Sequence, residues 1–181
     1  MLNRNNKLTI SRGLRGVTML ENLVALLILS IGLLGLAGLQ ASTLRNGHDA
    51  NLRTIAVQQA RDMANRIRSN PQGVVDGKYD AIEPPATTPA NECTSSCNAD
   101  EMALFDAWQW NTANAASLPG GGGTVVGADI LGMGKPTDMA RTKRFTITVR
   151  WDADRSGGSG LGCNPSSSTD LKCVVLQVVA P

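Results

Sequence analysis

The sequence predicts an α+β protein in which a long N-terminal helix packs on a small antiparallel sheet. Three observations carry that prediction. No proline interrupts the chain between Val17 and Asn70, and helix-compatible residues fill the whole span. Phe145, Ile147, Val149 and Trp151 alternate with Arg144, Thr146, Thr148 and Arg150, the period of a half-buried strand. Cys173 to Val179 is a second apolar run of strand length.

The first half of the helix has the composition of a membrane span. From Val17 to Leu39 the only polar side chains are Thr18, Glu21, Asn22 and Ser30. Those residues make about 34 Å of helix at ~1.5 Å per residue, enough to cross a bilayer core. Arg4, Lys7, Arg12 and Arg15 precede the run, with no acid before Gly16. Cations stay on the cytoplasmic side, so the N-terminus is expected inside and the C-terminal body outside. The small residue Gly16 lies before the apolar run rather than after it, unlike an ordinary secretory signal. A cut after Gly16 therefore leaves the hydrophobic helix on the mature chain, with Glu21 at its fifth position. A carboxylate at the centre of such a helix costs about 2.5–3.5 kcal/mol on insertion scales, so it needs a partner or an interfacial seat.

Arg15-Gly16-Val17-Thr18-Met19-Leu20-Glu21 resembles the N-terminus of type IV prepilins. The continuation from Leu26 to Gln40 resembles the PilV-type minor pilins more narrowly, and the likeness extends to about Arg68. It implies a pilin fold, a leader of residues 1–16, peptidase cleavage between Gly16 and Val17, and N-methylation of the new Val17 amine. It also implies that Glu21 of one subunit meets the Val17 amine of a neighbour during assembly. The physical logic is sound, because two unpaired charges near lipid gain by neutralising each other. A simpler role for Glu21 is an acid at the positive end of a helix dipole, worth about 0.3–1 kcal/mol.

The membrane or filament-core half is placed at residues 17–43 and the amphipathic half at 44–70. In the latter, Leu52, Ile55, Ala56, Ala60, Met63 and Ile67 form a helical stripe. Asn70-Pro71 and Gly73 end it, after about 50 residues or ~75 Å. Gly32, Gly35 and Gly38 recur inside the apolar half. They admit close helix packing, partial melting in a filament core, or a merely tolerant span.

Residues 71–181 form the external body. Its opening, 71–98, reads as a loop with Pro84, Pro85 and Pro89. Asn98 or Asp100 caps a short helix whose Met102, Phe105 and Trp108 share a face, ending by Leu118-Pro119. Gly120 to Gly123 reads as a flexible turn, since no Lys-Ser/Thr follows to complete a phosphate cradle. Thr124-Val125-Val126 begins a strand, before the two strands already named.

Cys93, Cys97, Cys163 and Cys173 all lie in this body, and an even count in an oxidising compartment reads as two disulfides. Three pairings are possible, and the two local loops are favoured. A four-thiolate zinc site is the rival, though structural zinc usually shows tighter spacings. Asp152, Asp154 and Gly157 copy the opening of a calcium loop, but Cys163 occupies the place of its bidentate glutamate. No metal or cofactor is expected.

Removing the four leader cations from the 17 leaves 13 basic against 15 acidic residues, a net of −2. That balance gives no basic footprint for nucleic acid. His48, the only histidine, reads as a surface residue, and no nucleophile–base–oxyanion set supports catalysis. The resemblance implies a minor pilin anchored in the inner membrane with its body in the periplasm, then carried into an extracellular pilus. Its partners would be the prepilin peptidase/methyltransferase, other minor pilins and the major pilin. A minor pseudopilin of a type II secretion system or a pilus-tip adhesin are the alternatives.

Overall fold

The structure, a computed structural model, describes residues 18–84, 86–90, 92–94, 96–130, 142–164, 166–167 and 169–180. Its elements are α1 (Met19–Ser69), α2 (Pro71–Val75), β1 (Ala81–Ile82), α3 (Ala99–Ser117), β2 (Gly122–Asp129), β3 (Lys143–Trp151) and β4 (Lys172–Ala180). The chain divides into two compact units, Met1–Arg45 and Asn46–Pro181. In the first, every described side chain is exposed. In the second, the C-terminal part of α1 packs on a four-stranded antiparallel sheet of order β1-β2-β3-β4.

The buried stripe of α1 is Leu52, Ala56, Ala60, Met63, Ala64 and Ile67, with Ile55 half-buried beside it. Three of the six are alanines, so the helix presents little bulk to the sheet. The opposing side chains come from β3, where Phe145, Ile147, Val149 and Trp151 are buried at every second position. Register carries this face across the sheet: Ile147 lies opposite Val125 on β2 and Leu176 on β4, and Phe145 lies opposite Val178. At the sheet's end the buried Lys143 ammonium pairs with Asp80.

Pro71 ends α1 as expected, yet it also starts the next element. It occupies the first turn of α2, where its missing N–H costs nothing, and the Asn70 side chain caps that helix by accepting from the Gly73 N–H at 3.1 Å. The stretch read as a loop thus contains a short helix and a two-residue strand. For α3 the cap is Asn98, in a reciprocal box with Glu101 at 2.9 and 3.0 Å.

The core face of α3 is not the one its large apolar residues suggest. Ala103, Asp106, Trp110, Asn111 and Asn114 are buried, whereas Met102, Phe105 and Trp108 are only half-buried. Polar residues took the inner face because each of Asp106 and Asn111 finds a buried partner there, which hydropathy does not encode.

The four-glycine run is likewise a packing device. A Cβ on Gly123 would lie 2.2 Å from the Trp110 ring, and one on Gly121 would lie 2.2 Å from the Asn114 carbonyl. Any side chain at either place would hold β2 away from α3. Residues 122 and 123 are in fact the first two of β2.

Candidate functional site

The proposed processing site, Gly16 and Val17, lies outside the described residues. The helix starts immediately beyond it. Thr18 is its cap: the hydroxyl accepts from the Glu21 N–H at 3.3 Å, and the carbonyl accepts from Glu21 and Asn22 at 3.0 and 3.3 Å. Thr18-Met19-Leu20-Glu21 is therefore half of a capping box, a signal present in the sequence and overlooked there. Glu21 sits in the first turn, exposed, with no side-chain partner among the described residues. Its position by the exposed N–H groups suits an anion, but one helix terminus offers only a weak interaction. The carboxylate remains available to a cation supplied from another molecule.

Behind it, the most apolar 18 residues of α1 have no buried side chain. Ser30 donates to the Leu26 carbonyl at 2.7 Å and Thr43 to the Leu39 carbonyl at 2.9 Å, so these hydroxyls are satisfied within the helix. Gly32, Gly35 and Gly38 have open space where a Cβ would stand. Contacts within the described chain give no reason for glycine at these places.

In the body, the structure pairs Cys93 with Cys97 and Cys163 with Cys173, and no described cysteine is free. The zinc alternative then has no thiolates to use. The second bridge ties the connection between β3 and β4 to the start of β4, where Gly160 and Asp170 also form a short parallel bridge. At the head of that connection, Asp152 accepts from the Ser156 and Gly157 N–H groups at 3.1 and 2.8 Å. Desolvation pulls its pKa upward, but bonds from the Gly157, Ser156 and Arg155 backbone outweigh it and hold the carboxyl below its usual range. Those oxygens brace a turn with Arg155 and Gly157 at positive φ. With Cys163 committed to a disulfide, the donor set does not fit a calcium loop.

A second polar cluster, invisible in the sequence, joins three helices. Asp106 accepts from Arg66 at 2.9 Å and from the Tyr79 hydroxyl at 2.6 Å. Arg66 also donates to Asp62 at 2.8 Å and Gln109 at 2.7 Å. Asn70 donates to the Tyr79 oxygen at 3.2 Å and to the Ala99 carbonyl at 2.7 Å. Burial, then the bond to Asp106, pushes the Tyr79 hydroxyl well above its ordinary pKa. Burial pulls Arg66 down, but its carboxylates Asp62 and Asp106 more than offset this and keep it charged. The cluster's bonds tie α3 to α1 and to the turn that carries Tyr79.

The geometry is thus an exposed apolar helix whose first-turn carboxylate has no side-chain partner among the described residues, joined in sequence to a disulfide-braced α+β body. Two family models match these parts. Residues 12–37 match the prokaryotic N-terminal methylation motif, and residues 38–108 match the type IV pilin Tt1218 family. The two matches abut and reach into α3, but not to β2, β3 or β4. No curated protein and no solved structure matches the chain.

Proposed function

We propose, from the premise that the chain is type IV prepilin-like, that it is a minor pilin of the PilV type. Residues 1–16 are its leader, cut after Gly16, and Val17 carries the N-methyl group. Residues 17–43 hold the precursor in the inner membrane, with residues 44–70 and 71–181 in the periplasm. After cleavage the same helix enters the core of a type IV pilus, with other minor pilins and the major pilin as neighbours. The observation that carries the reading is Glu21: a carboxylate without a side-chain partner among the described residues, on an exposed apolar helix and inside the residues that match the methylation motif. The α-amine freed at Val17 is the charge that complements it. A carboxylate and an amine at the same depth on adjacent helices remove each other's cost of approaching lipid.

Glu21→Ala is the test, since Glu21 has no partner within the described chain and its loss leaves the body intact. The variant is expected to be made, inserted and disulfide-bonded, and to be missing from sheared pili. Immunoblots of membrane and pilus fractions, with pilus counts by electron microscopy, read this out. Normal incorporation with normal piliation would reduce Glu21 to a helix-end acid. Intact mass of the incorporated protein should show loss of residues 1–16; an intact leader in a strain with working pilus machinery would defeat the reading.

A further inference from the structure

The sheet face turned away from α1 carries a cavity of about 760 Å³, within the usual size of small-molecule sites. Trp108, Ala115 and Pro84 form one side, and Leu161 and Leu171, beside the Cys163–Cys173 bridge, form another. Its floor is the outer side of β2 and β3, where Thr124 and Arg150 alternate with the core residues Val125, Val149 and Trp151. Arg150 lies directly opposite Cys173 on β4 and Gly122 on β2.

Arg150 is half-buried in these apolar walls, and burial pulls its pKa down from the usual guanidinium value. One nitrogen, Nη1, donates to the Thr124 hydroxyl at 2.9 Å. The Nε is buried with no hydrogen-bond partner, and no carboxylate pairs with the side chain among the described residues. Thr124 thus engages Nη1, whereas the outer nitrogen Nη2 makes no hydrogen bond among the described residues and is not shut off from solvent as Nε is. Asn111, which also lines the cavity, is already engaged with the Gly123 N–H at 2.8 Å, and Glu83 lines it as an exposed residue. The one cation lining the hollow is therefore the half-buried Arg150, with Trp108 among the apolar lining and the exposed Glu83 and Thr112 as its other open polar groups.

We infer that this cavity is a binding site for a small carboxylate with an apolar or aromatic body, its carboxylate held by the outer nitrogen Nη2 of Arg150 and its body against Trp108. A ligand of this kind supplies the anionic partner that the guanidinium lacks among the described residues, and its apolar part displaces water from the walls. The inference concerns the body alone and does not depend on entry into a filament.

The test uses the full chain in lipid nanodiscs, probed with 3-phenylpropionate and its neutral amide, 3-phenylpropanamide, by saturation-transfer NMR against empty nanodiscs. The acid is expected to bind in the millimolar range usual for a fragment, and roughly tenfold more tightly than the amide. Arg150→Gln should erase the preference for the acid. Ala115→Trp, at an exposed position of α3, should fill the hollow and abolish binding of both probes while near-UV circular dichroism shows an intact fold. No transfer above empty nanodiscs, equal binding of acid and amide, a preference that survives Arg150→Gln, or binding that survives Ala115→Trp would each overturn the assignment.

Discussion

Removing the Asp106 carboxylate should be among the most damaging single changes to the body. Asp106 is 6 % exposed and holds two groups that cannot easily find water, the Tyr79 hydroxyl at 2.6 Å and the Arg66 guanidinium at 2.9 Å. In Asp106→Ala, the Tyr79 hydroxyl keeps Asn70 as a donor to its oxygen but loses the acceptor for its own proton. An unsatisfied buried donor costs about 1–3 kcal/mol. Arg66 retains Asp62 and Gln109, and its side chain is 23 % exposed, so its loss falls below the roughly 3–5 kcal/mol of a fully buried pair. Together these give a destabilisation of about 3 kcal/mol, with Asp106→Asn intermediate. Tyr79→Phe should cost about 1 kcal/mol by itself and relieve part of the Asp106→Ala penalty in the double variant, since the orphaned hydroxyl is then gone. Urea unfolding of the full chain in nanodiscs, followed by the fluorescence of the buried Trp110 and Trp151, measures all four variants. If Asp106→Ala costs no more than the surface change Asp154→Ala, or if the double variant is simply additive, the network does not carry the stability assigned to it.

Other consequences are as direct. Tyr79 is the only tyrosine, so phenolate absorbance reports it alone. Its folded pKa is raised, so its contribution to stability is complete below about pH 10 and is lost as pH climbs through the folded value. The folded chain should therefore show no phenolate at pH values where the urea-unfolded chain shows it fully; coincident titrations would contradict the buried Asp106 contact. Gly123→Ala drives a methyl into the Trp110 ring, whose indole N–H is bonded to the Gln59 carbonyl at 2.8 Å, and should destabilise by about 1–3 kcal/mol in the same urea assay. A neutral result would show that β2 and α3 can separate freely. Replacing Cys163 and Cys173 by serine opens a loop of sequence separation 10 and should cost about 2–3 kcal/mol on chain-entropy arguments. Non-reduced peptide mapping of the native chain checks the pairing, and bridges that join the two local loops to each other would refute it.

The parts legible in the sequence were those governed by local, repeating chemistry. Absence of proline and an unbroken run of helix-compatible residues defined α1 without reference to anything else in the chain. Strict alternation in β3 marked its inner face, because a strand half-buried on one side repeats every two residues wherever it sits. The Thr18–Glu21 capping pattern was equally local and equally readable. What the tertiary structure decided were the features whose meaning depends on a distant partner. Gly121 and Gly123 look like slack chain until Asn114 and Trp110 arrive against them. On α3, Asp106 and Asn111 look like solvent residues until Tyr79, Arg66 and Gly123 supply their bonds, so the inner face holds them while Met102, Phe105 and Trp108 stay half-buried. Arg150 reads as the exposed member of an alternating strand, and only folding shows α3 and the bridged loop closing an apolar hollow around it. Periodicity tells a chain which side of an element is buried when that element is regular and its core is greasy; it is silent on polar groups whose burial is paid for by one specific bond across many residues.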